Sequence, residues 1–445
     1  MKIPKRMYAK IHRHLINIEQ APIFFYVIRW TFVSLLVGVF AGFASAIFLK
    51  SLDFVTNYRE NNLWIIYLLP IAGLAIGLLY HYFGQMVIKG NNQLIEEIHN
   101  PKKIVPLRMA PLVLLGTIIT HLFGGSTGRE GTAVQMGGAV ADQLTYIFRF
   151  RPRDRKILII CGISAGFSSV FGTPLAGAVF GLEVYVLGRL RYNAIFPSLL
   201  SAILADFFCK FWNVGHTDYS QLIQIVPELS LFLLVVSIFV GILFGLTGMS
   251  FGMLTHFFTK QFRNIIPYPP LRPFIGGVLI VLFFILTTST RYLGLGVPII
   301  VQSFSEPIPI YDFLIKMFST SFTLGAGFKG GEVTPLFFIG STLGSSLSEI
   351  FPLPRSLMAG MGFVGVFAAA ANTPLACTFM AIELFGINSA IYMGITCVTA
   401  YLFSGHTGIY SSQVIGDPKH LILGKEVGQK LSEKKKMKNL KIKKR

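Results

Sequence analysis

Residues 124–138 read GGSTGREGTAVQMGG and lie between two apolar stretches of the chain. Six of these fifteen residues are glycine, so the backbone can turn here and expose its N–H groups. Irregular backbone at membrane depth is stable only inside protein or beside a wet cavity. The adjacent ionisable residues Arg129 and Glu130 therefore predict an ion or proton path. A surface loop with an exposed ion pair is the alternative, and the apolar flanks disfavour it.

A helix is predicted to begin at about Gly131, directly after this glycine-rich break. The positive end of its dipole would point at the break, where free N–H groups favour an anion. Glu130 would be a built-in anion at such a site. It would occupy the site when ionised and leave it when protonated.

The composition predicts an all-α polytopic membrane protein. Of the 445 residues, 53% are hydrophobic and 13% are charged, whereas soluble domains carry about 25% charged residues. A membrane span needs roughly 20 apolar residues, so about ten or more segments fit into this length. Four cysteines, Cys161, Cys209, Cys377 and Cys397, lie in apolar context without metal-ligand spacing. We expect them to be small core residues, with neither a metal nor a cofactor.

The net charge of +19 is concentrated at the two ends of the chain. Residues 425–445 hold ten Lys or Arg and two Glu, and further basic residues stand among the first thirteen. The positive-inside rule predicts that both termini are cytoplasmic in a multi-pass protein of the cell membrane. Contact of the tail with anionic lipid is an alternative, and no nucleic-acid partner is expected.

The second half of the chain repeats the first. The tetrapeptide TPLA at 173–176 recurs at 373–376, and Glu183 recurs as Glu383, both at an offset of 200. GREGT at 128–132 aligns with GGEVT at 330–334 at an offset of 202, which pairs Glu130 with Glu332. Matching interrupted segments in two halves indicate an inverted repeat with an ion site near mid-membrane.

Four segments follow from this pattern. They are a basic N-terminal segment (1–20), a first repeat (21–225), a second repeat (226–418) and a basic tail (419–445). Two stretches are predicted to separate apolar segments: a polar break from Lys89 to Ile98, and a linker between the halves from Lys260 to Pro273, with four prolines. The recurring Glu183 and Glu383 are predicted to be structural, bonded to nearby backbone or basic groups.

These motifs resemble the CLC family of chloride channels and chloride/proton antiporters over nearly the whole membrane length. GREG at 128–131 matches the family's Gly-Lys/Arg-Glu-Gly gate motif, with Thr132 in place of proline. GEVTP at 331–335 is similar to its Gly-x-Phe-x-Pro motif, with Val333 in place of Phe, and Tyr410 stands where the family keeps a central tyrosine. The resemblance implies inverted repeats whose broken helices meet at an anion site, in a homodimer.

The stretch before the gate departs from the chloride members. They carry Gly-Ser-Gly-Ile-Pro there, whereas residues 90–95 of this chain read GNNQLI. Chloride antiporters also carry a second glutamate after the first, at the position of Val184, as their internal proton relay. The Asn-Asn stretch, Val333 and Val184 resemble the fluoride-selective bacterial branch. This resemblance implies that the chain exports fluoride in exchange for protons.

The same resemblance assigns roles to the proton-handling residues. Glu130 is the gate, which fills an anion site when deprotonated and swings away when protonated. Because Val184 cannot carry a proton, Glu332 is a candidate relay, with a structural pair between Glu332 and Lys329 as the alternative. Thr334 is expected to add a hydroxyl along that route.

Fluoride is small and strongly hydrated, so its site must replace water with close N–H or O–H donors. The backbone at the two breaks and a few side chains are expected to supply them: Asn91, Asn92, Gly128, Arg129, Gly131, Gly331, Val333 and Tyr410. Helix capping by Asn91 and a membrane-interface position for Tyr410 are the alternatives. Arg129 is expected to support the loop or the local positive potential.

Three other functions remain open from the sequence. They are a chloride/proton antiporter with unusual motifs, a passive anion channel, and a membrane scaffold or sensor with a degenerate pore. The gate glutamate disfavours the channel only weakly, because many CLC channels keep it, while both breaks and the tyrosine disfavour the scaffold. An enzyme is not expected, because the sequence holds no Walker loop, nucleotide-binding domain or catalytic triad.

Overall fold

A computed structural model describes residues 20–433. The predicted N-terminal segment therefore lies outside the described residues except at its last position, as do residues 434–445 of the predicted tail. The described chain forms sixteen α-helices, which fall into two series of eight separated by residues 212–230. Two very short strands pair in parallel, β1 (Val186–Leu187) with β2 (Val414–Ile415).

The helices run in the following order. The first series is α1 (Gln20–Asn61), α2 (Leu69–Phe83), α3 (Asn91–His99), α4 (Met109–Leu122), α5 (Glu130–Phe148), α6 (Pro152–Phe171), α7 (Pro174–Glu183) and α8 (Ile195–Phe211). The second series is α9 (Leu231–Ile265), α10 (Leu271–Thr287), α11 (Val297–Ser305), α12 (Asp312–Ala326), α13 (Val333–Leu347), α14 (Arg355–Ala371), α15 (Pro374–Phe385) and α16 (Ala390–Phe403). Short 3₁₀-helices occupy Leu63–Leu68, Gln85–Val87, Tyr192–Ala194, Ile387–Ser389 and Leu421–Glu426.

The two series match in the order and the approximate length of their helices. The first helix is the longest in each, with 42 and 35 residues. The third helix has nine residues in both, and the seventh has ten and twelve. This correspondence extends the repeat seen in a few motifs to the whole helical framework.

Most helices are too short to cross a bilayer alone. Within the described residues, four apolar helical stretches are long enough: Pro22–Asn61, Leu63–Phe83, Tyr192–Phe211 and Leu231–Ile265. Seven shorter apolar helices have 10–17 residues. Defined breaks cause this shortness: α6 ends before Gly172, whose positive φ of 72° suits glycine, and α7 begins at Pro174, where a missing N–H costs no helical bond.

The two stretches predicted as a polar break and as a linker are largely helical in the structure. Most of the predicted polar break from Lys89 to Ile98 is helix α3, which buries Leu94, Ile95 and Ile98 on one face. That spacing is helical, and the polar residues occupy the other side. The predicted linker from Lys260 to Pro273 is mostly helical too, because α9 continues to Ile265 and α10 begins at Leu271.

Two glutamates connect the series. The Glu183 carboxylate accepts hydrogen bonds from the backbone N–H groups of Leu375 (3.2 Å) and Ala376 (2.9 Å). Glu383 accepts from the equivalent groups at the start of α7, each at 2.8 Å. Each carboxylate thus satisfies first-turn donors of a helix in the opposite half. The predicted structural role is observed, with partners far away in the chain rather than nearby. The four cysteines are buried, as predicted.

Candidate functional site

The two glycine-rich breaks meet in the middle of the molecule. Gly128 and Gly331 exchange two backbone N–H···O hydrogen bonds of 2.6 Å each, which form an antiparallel bridge. A Cβ on Gly331 would lie 2.8 Å from the backbone nitrogen of Gly131, so this approach requires glycine. The bridge sets the first turns of α5 and α13 side by side, and both present free N–H groups to one location.

The bridge also fixes how the two halves correspond, and it corrects the predicted alignment by one residue. Gly128 and Gly331 differ by 203, as do the first residues of α5 and α13, Glu130 and Val333. The residues before these helices, Arg129 and Glu332, share nearly the same backbone angles (φ −115° and −110°). Glu332 is therefore equivalent to Arg129, and Val333 to Glu130.

Helix packing gives the same register. A Cβ on Gly137 would collide with the carbonyl oxygen of Gly162, where α5 crosses α6. A Cβ on Gly340 would collide with the carbonyl oxygen of Gly362, where α13 crosses α14. Gly137 and Gly340 again differ by 203. The identities at an offset of 202 misled the sequence alignment, because several glycines, glutamates and threonines of both breaks coincide in that register too.

Glu130 lies at this meeting point and is fully buried. Its carboxylate accepts hydrogen bonds from the backbone N–H of Thr334 (3.1 Å), the backbone N–H of Arg129 (3.1 Å) and the Thr334 hydroxyl. The Arg129 Nε atom lies 3.6 Å from Glu130 Oε1. The carboxylate thus occupies an anion position at the N-terminus of α13. Val333, also predicted for the site, is buried beside it in the first turn of that helix.

A cavity of about 300 Å³, here called the inner cavity, brings together most of the other predicted side chains. Its wall includes Asn91, Asn92, Glu332 and Tyr410. Lys89 also lines it and contacts Glu96 at 2.7 Å, and Glu96 lies 3.7 Å from the ammonium of Lys430. The inner cavity therefore opens toward the side where the C-terminal segment lies.

The two neighbouring asparagines differ in their contacts. Asn92 Oδ1 accepts a hydrogen bond of 2.9 Å from the backbone N–H of Ser412, which ties α3 to the segment after Tyr410. Asn91 is the first residue of α3 and makes no capping bond, because Gly90 holds the cap position. Its Oδ1 atom has no hydrogen-bond partner among the described residues. The donor atom of this amide, Nδ2, lies beside the first turn of α5, since a Cβ on Gly131 would be 3.1 Å from it. The Asn91 amide thus presents its N–H groups near the break, whereas that of Asn92 supports the loop.

Tyr410 is 3% exposed, so it is not a membrane-interface residue. Its ring meets Phe180 edge-on, with centroids 6.5 Å apart. The backbone N–H of the preceding residue, Ile409, bonds to the carbonyl of Ala370 at 2.9 Å and anchors the segment. The phenol is held at the inner cavity together with Asn91.

Glu332 is partly buried in the wall of the inner cavity. Within residues 20–433 it has no cationic partner at 4.0 Å or closer. The ammonium of Lys329 lies instead over the ring of Tyr80, 4.1 Å from its centroid. The pair of Glu332 with Lys329 that the sequence left open is not observed.

A second cavity, the outer cavity, measures about 530 Å³ and is lined by Arg129, Arg59 and Arg291 together with Asp53 and Glu60. It lies at the far end of α1. Arg59 is near the C-terminal end of α1, and Arg29 is near its N-terminal end. The thirty residues between them span roughly 45 Å. Arg29 pairs with Asp154 at 2.9 Å.

The N-terminal end of α1 lies on the same side of the molecule as the inner cavity. Asp154 stands in the first turn of α6, and Arg155 beside it pairs with Glu97 of α3 at 2.9 Å. The two cavities therefore open on opposite sides, with Glu130 at the bridge between the breaks.

Sequence reasoning did not assign three cations that line these cavities to the ion path. Arg59 is 6% exposed and donates to the carbonyl of His121 at 2.9 Å, and Arg291 pairs with Asp312 at 2.6 Å. Lys329 was considered only as a partner of Glu332. An ionisable residue within or beside an apolar helix was the available signal for all three.

Comparisons with known proteins agree with this geometry. Residues 72–405 match the family model described as voltage gated chloride channel. The chain is 53% identical over 408 residues to a chloride/fluoride channel protein of Pseudomonas syringae pv. tomato, which covers 90% of each chain. It is 25% identical over 386 residues to an uncharacterised protein of Methanocaldococcus jannaschii, over 84% of this chain and 93% of that one.

Solved structures confirm the predicted fold. The crystal structure of a CLC-type fluoride/proton antiporter matches with a TM-score of 0.84 and 36% identity, over 87% of this chain and 98% of that chain. A slow cyanobacterial Cl⁻/H⁺ antiporter matches with a TM-score of 0.73 at 21% identity, over 89% and 97%. At that identity the second match shows the shared fold alone. From the family match and the 53% identical relative, we conclude that this chain is a member of the voltage gated chloride channel (CLC) family.

Proposed function

We propose that this protein is an antiporter of the cell membrane that exports fluoride in exchange for protons. The observation that carries the proposal is the position of Glu130. Its buried carboxylate takes up the N–H and O–H donors of an anion site, between two cavities that open on opposite sides. Similarity to a fluoride/proton antiporter and to a chloride/fluoride channel protein supports fluoride as the anion.

Protonation of Glu130 opens the site in this mechanism. A carboxylate binds the Thr334 donors strongly because the hydrogen bonds are charge-assisted. A protonated carboxyl loses that advantage and leaves. Fluoride, with the same charge and a smaller radius, then takes the vacated donors of Thr334 and the nearby backbone. Because fluoride takes these donors only when Glu130 has bound a proton and left them, the movements of the two ions are coupled.

The inner cavity supplies the rest of both routes. We assign Glu332 as the proton relay, since it faces this cavity without a cationic partner among the described residues and Val184 cannot hold a proton. Asn91 and the Tyr410 hydroxyl replace water around fluoride on its way to the bridge. The backbone of Gly128, Gly131 and Gly331 completes the donor set. An anion leaving and a proton entering both move positive charge inward, so turnover is electrogenic.

We further propose that the inner cavity opens to the cytoplasm and that the protein is a homodimer. The basic ends of the sequence support the orientation, because positive residues stay on the cytoplasmic side. The family resemblance implies the dimer. The division into repeats at residues 21–225 and 226–418 is supported by the two series of eight helices.

The test is ion flux from liposomes that contain the purified protein, recorded with fluoride- and chloride-selective electrodes with and without a pH gradient. We expect fluoride efflux to exceed chloride efflux by on the order of tenfold or more and to drive protons uphill. Glu130→Gln should abolish the proton movement, because the amide cannot titrate. Glu349→Gln is the matched control, since Glu349 is exposed and pairs with Arg355 at the surface.

Two results would contradict the proposal. Chloride flux equal to or above fluoride flux would make the protein a chloride/proton antiporter. Fluoride flux without proton movement in the wild-type protein would make it a channel.

A further inference from the structure

Lys329 stands in the second break, between the end of α12 at Ala326 and the start of α13 at Val333. It is partly buried and lines the inner cavity together with Tyr80, Asn91 and Glu332. A positive charge at this place is noteworthy, because the cavity leads to a position occupied by an anionic group. The mechanism described above gives Lys329 no role.

The Lys329 side chain is held in place by residues that are far away in the sequence. Its ammonium lies 4.1 Å from the centre of the Tyr80 ring, whose face attracts a cation. The start of its side chain packs against Gly116, where an added Cβ would lie 2.9 Å from both Cβ and Cγ of Lys329. The contact with Gly116 orients the stem, and the contact with Tyr80 fixes the charge. Lys329 is therefore held in one place and is not a freely moving surface lysine.

No carboxylate of residues 20–433 lies within 4.0 Å of Lys329. Lys89, which lines the same cavity, has a different environment: Glu96 lies 2.7 Å from its ammonium, and its side chain is 60% exposed. The charge of Lys89 is thus neutralised at short range, whereas that of Lys329 is not. Within a narrow cavity, an unneutralised charge raises the local concentration of ions of the opposite sign.

We infer that Lys329 recruits fluoride into the inner cavity and sets the affinity for it on that side. The inference rests on the proposed function and names a residue for its first step. Tyr80 holds the ammonium by a face that carries no net charge, so the attraction for an anion persists. Asn91 lies in the same cavity, and its amide nitrogen is beside the first turn of α5, 3.1 Å from where a Cβ on Gly131 would be, so its N–H groups are the next contact along the route.

The experiment measures initial fluoride flux in liposomes against fluoride concentration, together with the ratio of protons to fluoride. Lys329→Gln should raise the fluoride concentration at half-maximal flux by on the order of tenfold, the effect expected for a unit charge several ångströms from the ion. Maximal flux and the proton ratio should change by less than about twofold, because chemistry at Glu130 is untouched. Lys329→Arg should stay near the wild-type value.

Two further measurements separate recruitment from a structural role. Lys89→Gln removes the same charge from the same wall and should leave the half-maximal concentration unchanged. Higher ionic strength should weaken the wild-type affinity but not that of Lys329→Gln, because salt screens the attraction. Lys329→Met, which keeps the stem, replaces Lys329→Gln if the latter does not purify.

An unchanged half-maximal concentration in Lys329→Gln, or equal losses in Lys329→Gln and Lys329→Arg, would overturn the inference while the antiporter stands. Absence of fluoride flux in the wild-type protein would overturn the proposed function and this inference with it.

Discussion

The first break, residues 124–130, and the second break, residues 327–333, match in backbone geometry where they meet at the bridge and enter their helices, but they carry opposite chemistry. At the residue before the helix the first break carries Arg129 and the second carries Glu332. Arg129 lines the outer cavity, and Glu332 lines the inner one. Equivalent positions that face opposite sides are what an inverted repeat produces.

The next position shows a second difference. Glu130 begins α5, and buried Val333 begins α13. Only the first break therefore brings a carboxylate to the bridge, and the second supplies the donors that hold it, through Thr334. Two breaks with matching backbone geometry can therefore play different parts in the transport cycle, because the side chains at two equivalent positions differ.

Among the variants that compare the two breaks, the largest effect is expected from Glu332→Gln, which removes the titratable group from the second break alone. Proton movement driven by a fluoride gradient should fall about a hundredfold, the order of effect of losing a positioned proton-transfer group. Fluoride flux should persist, because Glu130 and its donors remain. The readout is a pH electrode beside the fluoride electrode in one liposome assay. Coupled proton movement at the wild-type rate would remove Glu332 from the proton route.

A smaller effect is expected from alanine at the matched glycines of the two halves. Gly137→Ala and Gly340→Ala should each destabilise the protein by about 2 kcal/mol, because the added methyl meets a carbonyl oxygen that cannot move freely. Gly138→Ala should cost less, since its Cβ would meet the end of the Leu94 side chain, which can shift more easily than a backbone carbonyl. Thermal unfolding in detergent measures all three.

This set of variants tests the register directly. An offset of 202 pairs Gly138 with Gly340, whereas the offset of 203 pairs Gly137 with Gly340. Similar losses for Gly138→Ala and Gly340→Ala, with little loss for Gly137→Ala, would contradict the correspondence given by the bridge.

The smallest effect is expected from Arg129→Gln. The variant loses a cation of the outer cavity that lies 3.6 Å from Glu130, and fluoride affinity should fall about threefold. Proton coupling should survive, because the backbone N–H of residue 129 still reaches the carboxylate. Fluoride-dependent initial rates provide the measurement, and Arg189→Gln, at an exposed pair with Asp417, is the control. An effect as large as that of Glu332→Gln would mean that the two equivalent positions share one role.

The sequence was most informative where chemistry is local. Glycine content and adjacent charges located the first break, and the resemblance located Glu130 and Tyr410 within the chain. The sequence was misleading where the same residues allowed more than one alignment of the two halves. Identities in both breaks allowed an offset of 202, and only the bridge between Gly128 and Gly331 decides for 203.

Helix α3 and Lys329 show two further limits. Helix α3 has a polar face long enough to resemble a loop, and its buried residues are identified only once a packing partner is known. The position of the Lys329 side chain depends on Tyr80 and Gly116, which lie more than 200 residues earlier in the chain. No local pattern reports such contacts.

The reciprocal glutamates have a consequence for biosynthesis. The amides of Leu175 and Ala176 find their acceptor only when Glu383 has been made, about 200 residues later. Until then the first turn of α7 lacks its native acceptor, and unsatisfied backbone polar groups are costly wherever water is excluded. A nascent chain that stalls between the two positions therefore leaves these two N–H groups without their native acceptor. Synthesis of the second half supplies it.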